Sequence, residues 1–526
     1  MAASVLPDLV EALLHPEAYP ERPARVDLLQ THVSYLFLTP DHVYKVKKPV
    51  DFGFLDFTTL ERRRVFCFQE VELNRRLSPD VYLGVVEVRR DAAGRFSIEG
   101  PGETVEYAVK MVRLPEDRVM SRLLVEHQVG PERVTELAQL VARFHREAAT
   151  SPEISRYGSL ETLRFNADEN FQQTAPYLGR TISQQQYDAI RAYTDRFLTT
   201  QQPLLERRVA TGRIRDCHGD LHLGQIFCTD RGIKVIDCIE FNERFRYSDV
   251  AADIAFTAMD LDSYGRHDLS QTLVAAYVAA SGDQEIPALL DYYKLYRAYV
   301  RGKVEGFRLD DPHVPAAERE AARRRAAGYF SLAYRYTQRG RPVLIVVCGL
   351  VGTGKTTVAQ ALADTLGAAV ESSDVVRKRL AGIPATERHL DPFGQGLYAP
   401  EMTRRTYDEL FRLARQWLEE GYAVVLDASF HRAADRQRAL ALALEVGAAF
   451  WLVECTAPAE VVRGRLEQRV STGDGPSDGR WEIYEAQRRT FEPITELPAE
   501  RHVVLDTARQ TAADVAEALT SKVTQG

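Results

Sequence analysis

One stretch in the last third of the chain combines residue types that bind phosphate. Gly349-Leu-Val-Gly-Thr-Gly-Lys-Thr356 follows the apolar run 343–348 and has the spacing of a P-loop. Glycines in such a loop let backbone N–H groups surround phosphate oxygens at the start of a helix. Lys355 is expected to reach the β- and γ-phosphates of ATP, and the Thr356 hydroxyl to bind Mg²⁺. The predicted cofactor-binding residues here are Gly349, Gly352, Thr353, Gly354, Lys355, Thr356 and Thr357.

Two carboxylates follow the next two predicted strands. Asp374 could accept a proton from an attacking hydroxyl, while Arg377, one helical turn later, could steer the acceptor or a phosphate. The alternative is that Asp374 only caps a helix and Arg377 is solvated. Asp427 ends a buried strand, the usual place for the residue that holds Mg²⁺ through water, although it could also only cap a turn.

A basic helical segment, Arg463 to Arg469, leads into a glycine-containing stretch at 473–480. Arginines on a closing lid can neutralise charge on a transferred phosphoryl group, and Arg469 is the candidate for this role. A solvated helix face is the alternative, because Arg465 and Arg469 lie four residues apart.

A second group of chemically competent residues lies before the middle of the chain. Cys217-His-Gly-Asp220-Leu-His-Leu-Gly-Gln225 precedes Val235-Ile-Asp237 by a short distance. A carboxylate on an irregular loop and another at a strand end suit a catalytic base plus a metal ligand.

The elements that must position these residues differ between the two regions. Residues 30–112 are predicted to be rich in strands around a helix at 58–77, and residues 115–337 are mostly helical except at 213–237. After the basic stretch 338–342, five apolar strands alternate with helices, which implies a parallel sheet covered on both faces. We therefore predict two domains, residues 1–337 and 338–526.

The region 341–510 resembles P-loop kinases that phosphorylate hydroxyl groups of metabolites, such as gluconate and shikimate kinases. It also resembles polynucleotide 5′-hydroxyl kinases and zeta-type toxin kinases, in which Asp-x-x-Arg after the second strand is the acceptor site. The resemblance implies ATP-dependent transfer to a hydroxyl with Asp374 as the candidate base, assisted by Arg377, Lys355 and Arg469.

Residues 30–310 resemble the aminoglycoside phosphotransferase family, whose members have the protein-kinase fold. The resemblance implies that Asp220 is the catalytic base, that Asp237 and Gln225 are metal ligands, and that Lys45 and Glu70 form the phosphate-binding ion pair. Asp253 matches a further aspartate of the helical lobe. The sequence departs from the family pattern in having Gln225 where the family has Asn and in lacking a glycine-rich loop before Lys45, and Lys47 is an alternative phosphate lysine.

The predicted fold class is thus an α+β protein-kinase-like bilobal domain followed by an α/β P-loop NTPase domain with a five-stranded parallel sheet. The tandem order resembles a family of bacterial fusion proteins.

Composition favours a small acceptor over a nucleic acid. The net charge is −8, and residues 341–526 hold 22 Lys and Arg against 26 Asp and Glu, so neither part has the positive charge that drives nonspecific nucleic-acid binding. Six cysteines without zinc-site spacing indicate reduced, buried thiols, and no apolar run is long enough for a membrane span. We expect a cytoplasmic protein with no membrane partner.

The preferred hypothesis is an ATP- and Mg²⁺-dependent bifunctional kinase that acts on small hydroxylated molecules. Two alternatives stay open. One is a polynucleotide 5′-hydroxyl kinase, which requires a basic groove near Asp374, Arg377 and Arg432. The other is a nucleotide-responsive regulatory protein whose first domain binds nucleotide without turnover.

Overall fold

The computed structural model describes residues 5–312, 314–384, 387, 391, 394–472 and 479–525. Its two domains follow the predicted order: a kinase-like domain with a small sheet lobe and a helical lobe, and then a P-loop domain.

The small lobe is an antiparallel sheet of six strands in the order β1-β2-β3-β6-β4-β5. Its strands are β1 (Asp27–Gln30), β2 (Ser34–Leu38), β3 (His42–Lys47), β4 (Tyr82–Arg90), β5 (Phe96–Ile98) and β6 (Glu103–Val112). Two helices cover its faces: α1 (Val5–Ala12), and α2 (Leu60–Arg75), which packs on β4 and β6. The sequence predicted all of these strands except β1, whose side chains are mostly exposed, so that it lacks a clear apolar alternation.

The helical lobe follows, with four short strands inserted. Its helices are α3 (Met120–Val125), α4 (Pro131–Glu147), α5 (Pro152–Ser155), α6 (Leu160–Thr174), α7 (Gln184–Thr200), α8 (Gln202–Ala210), α9 (Glu243–Arg246), α10 (Val250–Ser263), α11 (His267–Ser281), α12 (Ile286–Phe307) and α13 (Ala316–Tyr336). Its strands are β7 (Ile214–Asp216), β8 (Ile226–Thr229), β9 (Gly232–Val235) and β10 (Tyr247–Asp249). Helix α10 is buried over almost its whole length and packs against α11 and α12, so it forms the centre of this lobe.

The P-loop domain is built on five parallel strands in the order β12-β13-β11-β14-β15, as predicted. The strands are β11 (Val343–Cys348), β12 (Ala369–Ser372), β13 (Val424–Asp427), β14 (Ala449–Thr456) and β15 (His502–Asp506). The helices are α14 (Lys355–Leu366), α15 (Ser373–Leu380), α16 (Pro400–Glu419), α17 (Ala433–Glu445), α18 (Ala459–Thr472), α19 (Trp481–Thr490) and α20 (Ala512–Gln525). Since the carboxyl ends of parallel strands share one edge, the residues after β11, β12 and β13 converge there.

The two domains share one hydrophobic cluster. It runs from Phe171 and Tyr299 of the helical lobe, through α13, to Leu410 of α16 and Leu426 of β13. At its edge the His267 imidazole stacks on the Trp417 indole, with ring centroids 3.6 Å apart. The domains are therefore packed as one core rather than joined by a bare linker.

All six cysteines are free and buried, as the sequence predicted. Within the described ranges, no helix combines the length and the apolar character that a bilayer crossing demands.

Candidate active sites

The P-loop takes the backbone shape that its glycines allow. Gly349, Gly352 and Gly354 all have positive φ, and a Cβ on Gly349 would lie 2.3 Å from the Cys455 carbonyl oxygen. A side chain at Gly349 would therefore clash with β14. Thr353 is buried and donates its hydroxyl to the Leu350 carbonyl, while Thr357 is exposed on the first turn of α14.

Lys355 begins α14 and donates its Nζ to the Leu350 carbonyl at 2.9 Å. The lysine is thus folded back over its own loop, where a phosphate oxygen can replace that carbonyl as acceptor. The Val351 N–H donates to Gln487 Oε1 of α19 at 2.9 Å, which ties the loop to the helix that follows the basic segment. Sequence reasoning did not find Gln487, because nothing in its spacing relates it to the loop.

Thr356 and Asp427 converge where the sequence predicted the metal. The Thr356 hydroxyl donates to Asp427 Oδ2 at 2.8 Å, and Asp427 is 4% exposed. Burial raises the pKa of Asp427, and the nearby Lys355 only partly offsets that rise. A buried carboxylate with too little positive charge around it, next to a hydroxyl oxygen, is an oxygen-donor set that suits Mg²⁺.

Asp374 and Arg377 lie on the same face of α15, with Arg377 Nη1 3.2 Å from Asp374 Oδ1. Asp374 is partly exposed and Arg377 is buried. Both line a cavity of about 720 Å³ together with Lys355, Thr356 and Asp427, so the structure brings these five predicted residues to one site. The Arg469 side chain lies outside the described residues; Arg465, on the same helix, donates to Thr507 Oγ1 and its carbonyl.

The cavity is also lined by groups that the sequence did not single out as site residues. Ser429 Oγ lies 3.2 Å from His431 Nδ1 and 3.4 Å from the Tyr407 hydroxyl, and all three line the cavity. Burial lowers the pKa of His431, with the charge of Arg432 adding to the effect. The imidazole is therefore neutral near pH 7 and can either donate or accept a hydrogen bond.

The first domain places its predicted residues in a network of ion pairs. Lys45 Nζ lies 2.8 Å from Glu70 Oε1 and 2.6 Å from Asp237 Oδ1, and these carboxylates raise its pKa well above the ordinary value although burial opposes them. Lys47 has no exposed side-chain area and pairs with Glu70 and with Glu240. A phosphate could reach Lys45 from the cleft, whereas Lys47 is closed off by protein.

Gln225 donates its amide Nε2 to Asp237 Oδ2 at 3.2 Å, so both carboxylate oxygens of Asp237 accept hydrogen bonds from nitrogen donors. Asp237 also has a positive φ of 64°, a strained conformation for a residue other than glycine. Oxygen ligands for Mg²⁺ are present, but the amide of Gln225 must turn over to offer its oxygen.

Asp220 lies close to two basic groups, His222 and Arg301. Burial alone would raise the pKa of Asp220, but His222, at 3.5 Å, and Arg301 outweigh burial and keep that pKa well below its ordinary value. A carboxylate with a low pKa is a weak base. It can therefore take the proton of a hydroxyl only while that hydroxyl attacks and becomes more acidic.

Asp253 fixes the shape of the loop that carries Asp220. Its two oxygens accept the backbone N–H groups of His218 and Gly219 at 2.9 and 3.0 Å, and His145 Nε2 lies 3.1 Å away. Together with Cys217 these side chains are close enough to hold a metal ion. The carboxylate is already used by backbone donors, which indicates a structural role.

The hairpin above this cleft has no glycine-rich loop. β1 and β2 are joined by Thr31, His32 and Val33, and the Thr31 hydroxyl accepts the N–H groups of Val33 and Ser34. Those two N–H groups are thus not available to phosphate.

Comparisons with known proteins agree with this arrangement. A model described as a phosphotransferase enzyme family (APH) matches residues 105–296, and a model described as an AAA domain (AAA_33) matches residues 344–494.

Two curated relatives match most of the chain. They are the uncharacterized proteins Rv2004c of Mycobacterium tuberculosis (strain ATCC 25618 / H37Rv) and Mb2027c of Mycobacterium bovis (strain ATCC BAA-935 / AF2122/97). Each is 32% identical over 458 residues, which is 87% of this chain and 88% of the relative.

Solved structures resemble the parts. A putative kinase from Chloroflexus aurantiacus is 20% identical, covering 34% of this chain and 97% of its own, with a TM-score of 0.29. A gluconokinase from Sinorhizobium meliloti is 22% identical, covering 36% and 94%, with a TM-score of 0.25. Aminoglycoside 2′-phosphotransferase-IIIa is 14% identical, covering 59% and 93%, with a TM-score of 0.38.

The chain belongs to the family of these mycobacterial proteins and is an ATP-dependent kinase in which an aminoglycoside-phosphotransferase-like domain is fused to a P-loop kinase domain.

Proposed function

We propose that the P-loop domain, residues 338–526, transfers the γ-phosphoryl group of ATP to a hydroxyl group of a small molecule. The observation that carries this proposal is the common cavity of about 720 Å³, which is lined by Lys355 and Thr356 together with Asp374 and Arg377. We call the first pair the donor end and the second pair the acceptor end of the site. A donor and an acceptor can therefore meet inside it.

At the donor end, the backbone N–H groups of the P-loop and the first turn of α14 hold the β- and γ-phosphates. Lys355 Nζ exchanges the Leu350 carbonyl for a phosphate oxygen and balances charge that grows on the leaving β-phosphate. Thr356 and Asp427 would hold Mg²⁺, which would neutralise phosphate charge.

At the acceptor end, Asp374 accepts the proton of the attacking hydroxyl. The acceptor oxygen forms a bond to the γ-phosphorus while the bond from that phosphorus to the β,γ-bridging oxygen breaks, and ADP leaves with the electron pair. Arg377 pairs with Asp374 and keeps that carboxylate on the cavity side of α15.

The first domain, residues 1–337, carries a second kinase-like site by the same proposal. Lys45, held by Glu70, would bind phosphate, Asp220 would be the base, and Asp237 with Gln225 would hold the metal. Two features favour the alternative role for this domain, nucleotide binding without turnover. Lys45 is already paired with Asp237, and the hairpin between β1 and β2 has no glycine.

The polynucleotide 5′-hydroxyl alternative gains one observation. Arg377, Arg404, Arg432 and Arg438 all line the cavity, which gives it more basic groups than the acidic composition of the domain would suggest.

The test uses the full chain, because the shared core makes isolated halves unsuitable. ATP consumption and labelled product are measured for the wild type, Lys355→Met and Asp220→Asn with a panel of hydroxylated metabolites and a 5′-hydroxyl oligonucleotide. We expect Lys355→Met to abolish transfer at the P-loop site. Transfer that survives in Lys355→Met and disappears in Asp220→Asn would instead place the activity in the first domain.

A further inference from the structure

The acceptor end of the P-loop cavity contains a buried arginine with unused hydrogen-bond donors. Arg377 is 8% exposed, and its guanidinium makes one described ion-pair contact, at 3.2 Å, and lies over the Tyr398 ring at 4.9 Å. Its Nε is buried and has no hydrogen-bond partner among the described residues. A buried cationic group normally uses its donors, so the unpartnered Nε–H of Arg377, at the wall of a cavity, favours a ligand there.

Two further arginines line the same cavity and have no ion pair among the described residues. Arg404 on α16 and Arg432 before α17 are exposed, and no carboxylate of the described residues lies within 4.0 Å of either. Arg438 differs, because it is bound to Asp408 at 2.6 Å.

Arg432 also occupies an unfavourable position for a positive charge. It is the N-cap residue of α17 and makes no side-chain capping hydrogen bond. Ser, Thr, Asp or Asn would stabilise this helix start, whereas a cation there opposes the helix dipole. A residue that breaks a local rule beside a cavity is best explained by what the cavity binds.

Glu401, in the first turn of α16, and Asp435, in the first turn of α17, also line this cavity. Burial raises the pKa of Asp435, and the nearby charges of Arg438 and Arg432 oppose that rise. Neither carboxylate lies within 4.0 Å of Arg404 or Arg432, so both guanidinium groups keep hydrogen-bond donors for a ligand.

We propose that the acceptor of the P-loop site carries an oxyanion, a carboxylate or a phosphate, in addition to the hydroxyl that is phosphorylated, and that Arg404 and Arg432 bind it together with Arg377. This inference rests on the proposed function and narrows its substrate class to small hydroxylated anions. Guanidinium groups suit both oxyanions because they donate in pairs.

The first experiment tests the oxyanion site without an acceptor. The full chain is saturated with Mg²⁺ and the non-hydrolysable analogue adenosine 5′-(β,γ-imido)triphosphate, and sulfate binding is measured by calorimetry. We expect one sulfate per chain, weakened about tenfold or more in Arg404→Gln and Arg432→Gln, since loss of a charged hydrogen bond costs roughly 1.5–3 kcal/mol. Arg405→Gln is the matched control, because Arg405 is exposed on α16 but does not line the cavity.

No sulfate binding, or equal binding in all variants, would overturn the oxyanion site. If Arg405→Gln weakened sulfate binding as much as Arg404→Gln and Arg432→Gln do, the bound sulfate would be an adventitious ion only, and the oxyanion site would be overturned.

The second experiment compares matched acceptors: glycerol, glycerate and glycerol 3-phosphate, and likewise glucose, gluconate and glucose 6-phosphate. We expect transfer to an anionic member, with its KM raised in Arg404→Gln and Arg432→Gln, partly restored by Lys at the same positions, and the KM for ATP unchanged. Whether the carboxylate or the phosphate member is used identifies the oxyanion.

Transfer only to the neutral members would overturn the inference and leave the proposed function intact. Transfer only to a 5′-hydroxyl oligonucleotide would overturn the small-molecule acceptor. If phosphoryl transfer were unaffected by Lys355→Met, the proposed function of the P-loop domain would itself be wrong.

Discussion

The two candidate phosphate sites of this chain differ in the contacts that hold their residues before any nucleotide binds. In the P-loop domain the phosphate cradle is backbone, shaped by three glycines at positive φ, and Lys355 has only a carbonyl to release. In the first domain, Lys45 is held by two carboxylates, and the hairpin above the cleft has no glycine. A backbone cradle is ready for phosphate, whereas the ion-paired site must first give up a buried contact.

The largest effect should come from removing the proposed bases. Asp374→Asn is expected to lower product formation by about 10²- to 10⁴-fold, the usual contribution of a general base, and Asp220→Asn should leave that product unchanged. Rates are measured on the full chain with an acceptor identified in the panel. A larger loss in Asp220→Asn than in Asp374→Asn would reverse our ranking of the two sites.

The Trp417→Ala variant tests whether the two domains unfold as one unit. Trp417→Ala removes a 2% exposed indole that stacks on His267 and donates to Glu371 at 3.0 Å, so we expect a loss of about 3–5 kcal/mol in the free energy of unfolding. Urea denaturation measures it. Leu444→Ala, at a 71% exposed side chain, is the control and should change stability by less than about 0.5 kcal/mol. Two separate transitions in the wild type would contradict a shared unit.

The metal ligands should separate the two sites more finely. Asp427→Asn is expected to raise the Mg²⁺ concentration needed for half-maximal transfer by about 10- to 100-fold, since it removes the buried carboxylate that we propose as the holder of the hydrated ion. The matched variant is Asp237→Asn in the first domain, which should leave this requirement unchanged. An equal shift in both variants would mean that the metal dependence does not belong to the P-loop site alone.

The smallest effect concerns pH. Burial opposes protonation of His267, but Asp262 and Glu420 outweigh it and raise the pKa of His267 above its ordinary value of 6.5. Its stabilising contribution is therefore complete below about pH 6.5 and is lost as the pH rises through the raised pKa.

Between about pH 6 and pH 9 the wild type should thus lose on the order of 1 kcal/mol more unfolding free energy than His267→Gln does. Urea titrations at both pH values measure this difference. His32→Gln, at an exposed hairpin turn, is the control and should follow the wild type. If the unfolding free energies of the wild type and His267→Gln changed with pH in parallel, His267 would not contribute to the pH dependence of stability.

Much of the P-loop domain could be read from sequence, because fixed loop spacing and alternating strands and helices are local signals. Asp374 and Arg377 were predicted as well, because they stand one helical turn apart after a strand. Arg404 was not predicted to line the site, because it lies on another element at no fixed spacing from Asp374, and only the fold brings the two residues to one cavity.

The contact between the two domains could not be predicted from the sequence either. Tyr407, Leu410 and Trp417 recur at helical spacing in the sequence, and all three are buried on α16. An apolar face is the same in sequence whether it packs on its own sheet or on a neighbouring domain. In the first domain, Glu240 was not predicted to be important, because an isolated glutamate after a strand has no distinguishing pattern. Its ion pair with the buried Lys47 is known only from the structure.

The common core has a consequence for how such a chain can change over time. Since residues of both domains bury one another, a gene that lost either half would leave the remaining half with uncovered apolar surface and a tendency to aggregate. Selection against aggregation alone would then retain both folds. A first domain that had ceased to catalyse would be kept as a scaffold, so its persistence in relatives is no measure of its activity.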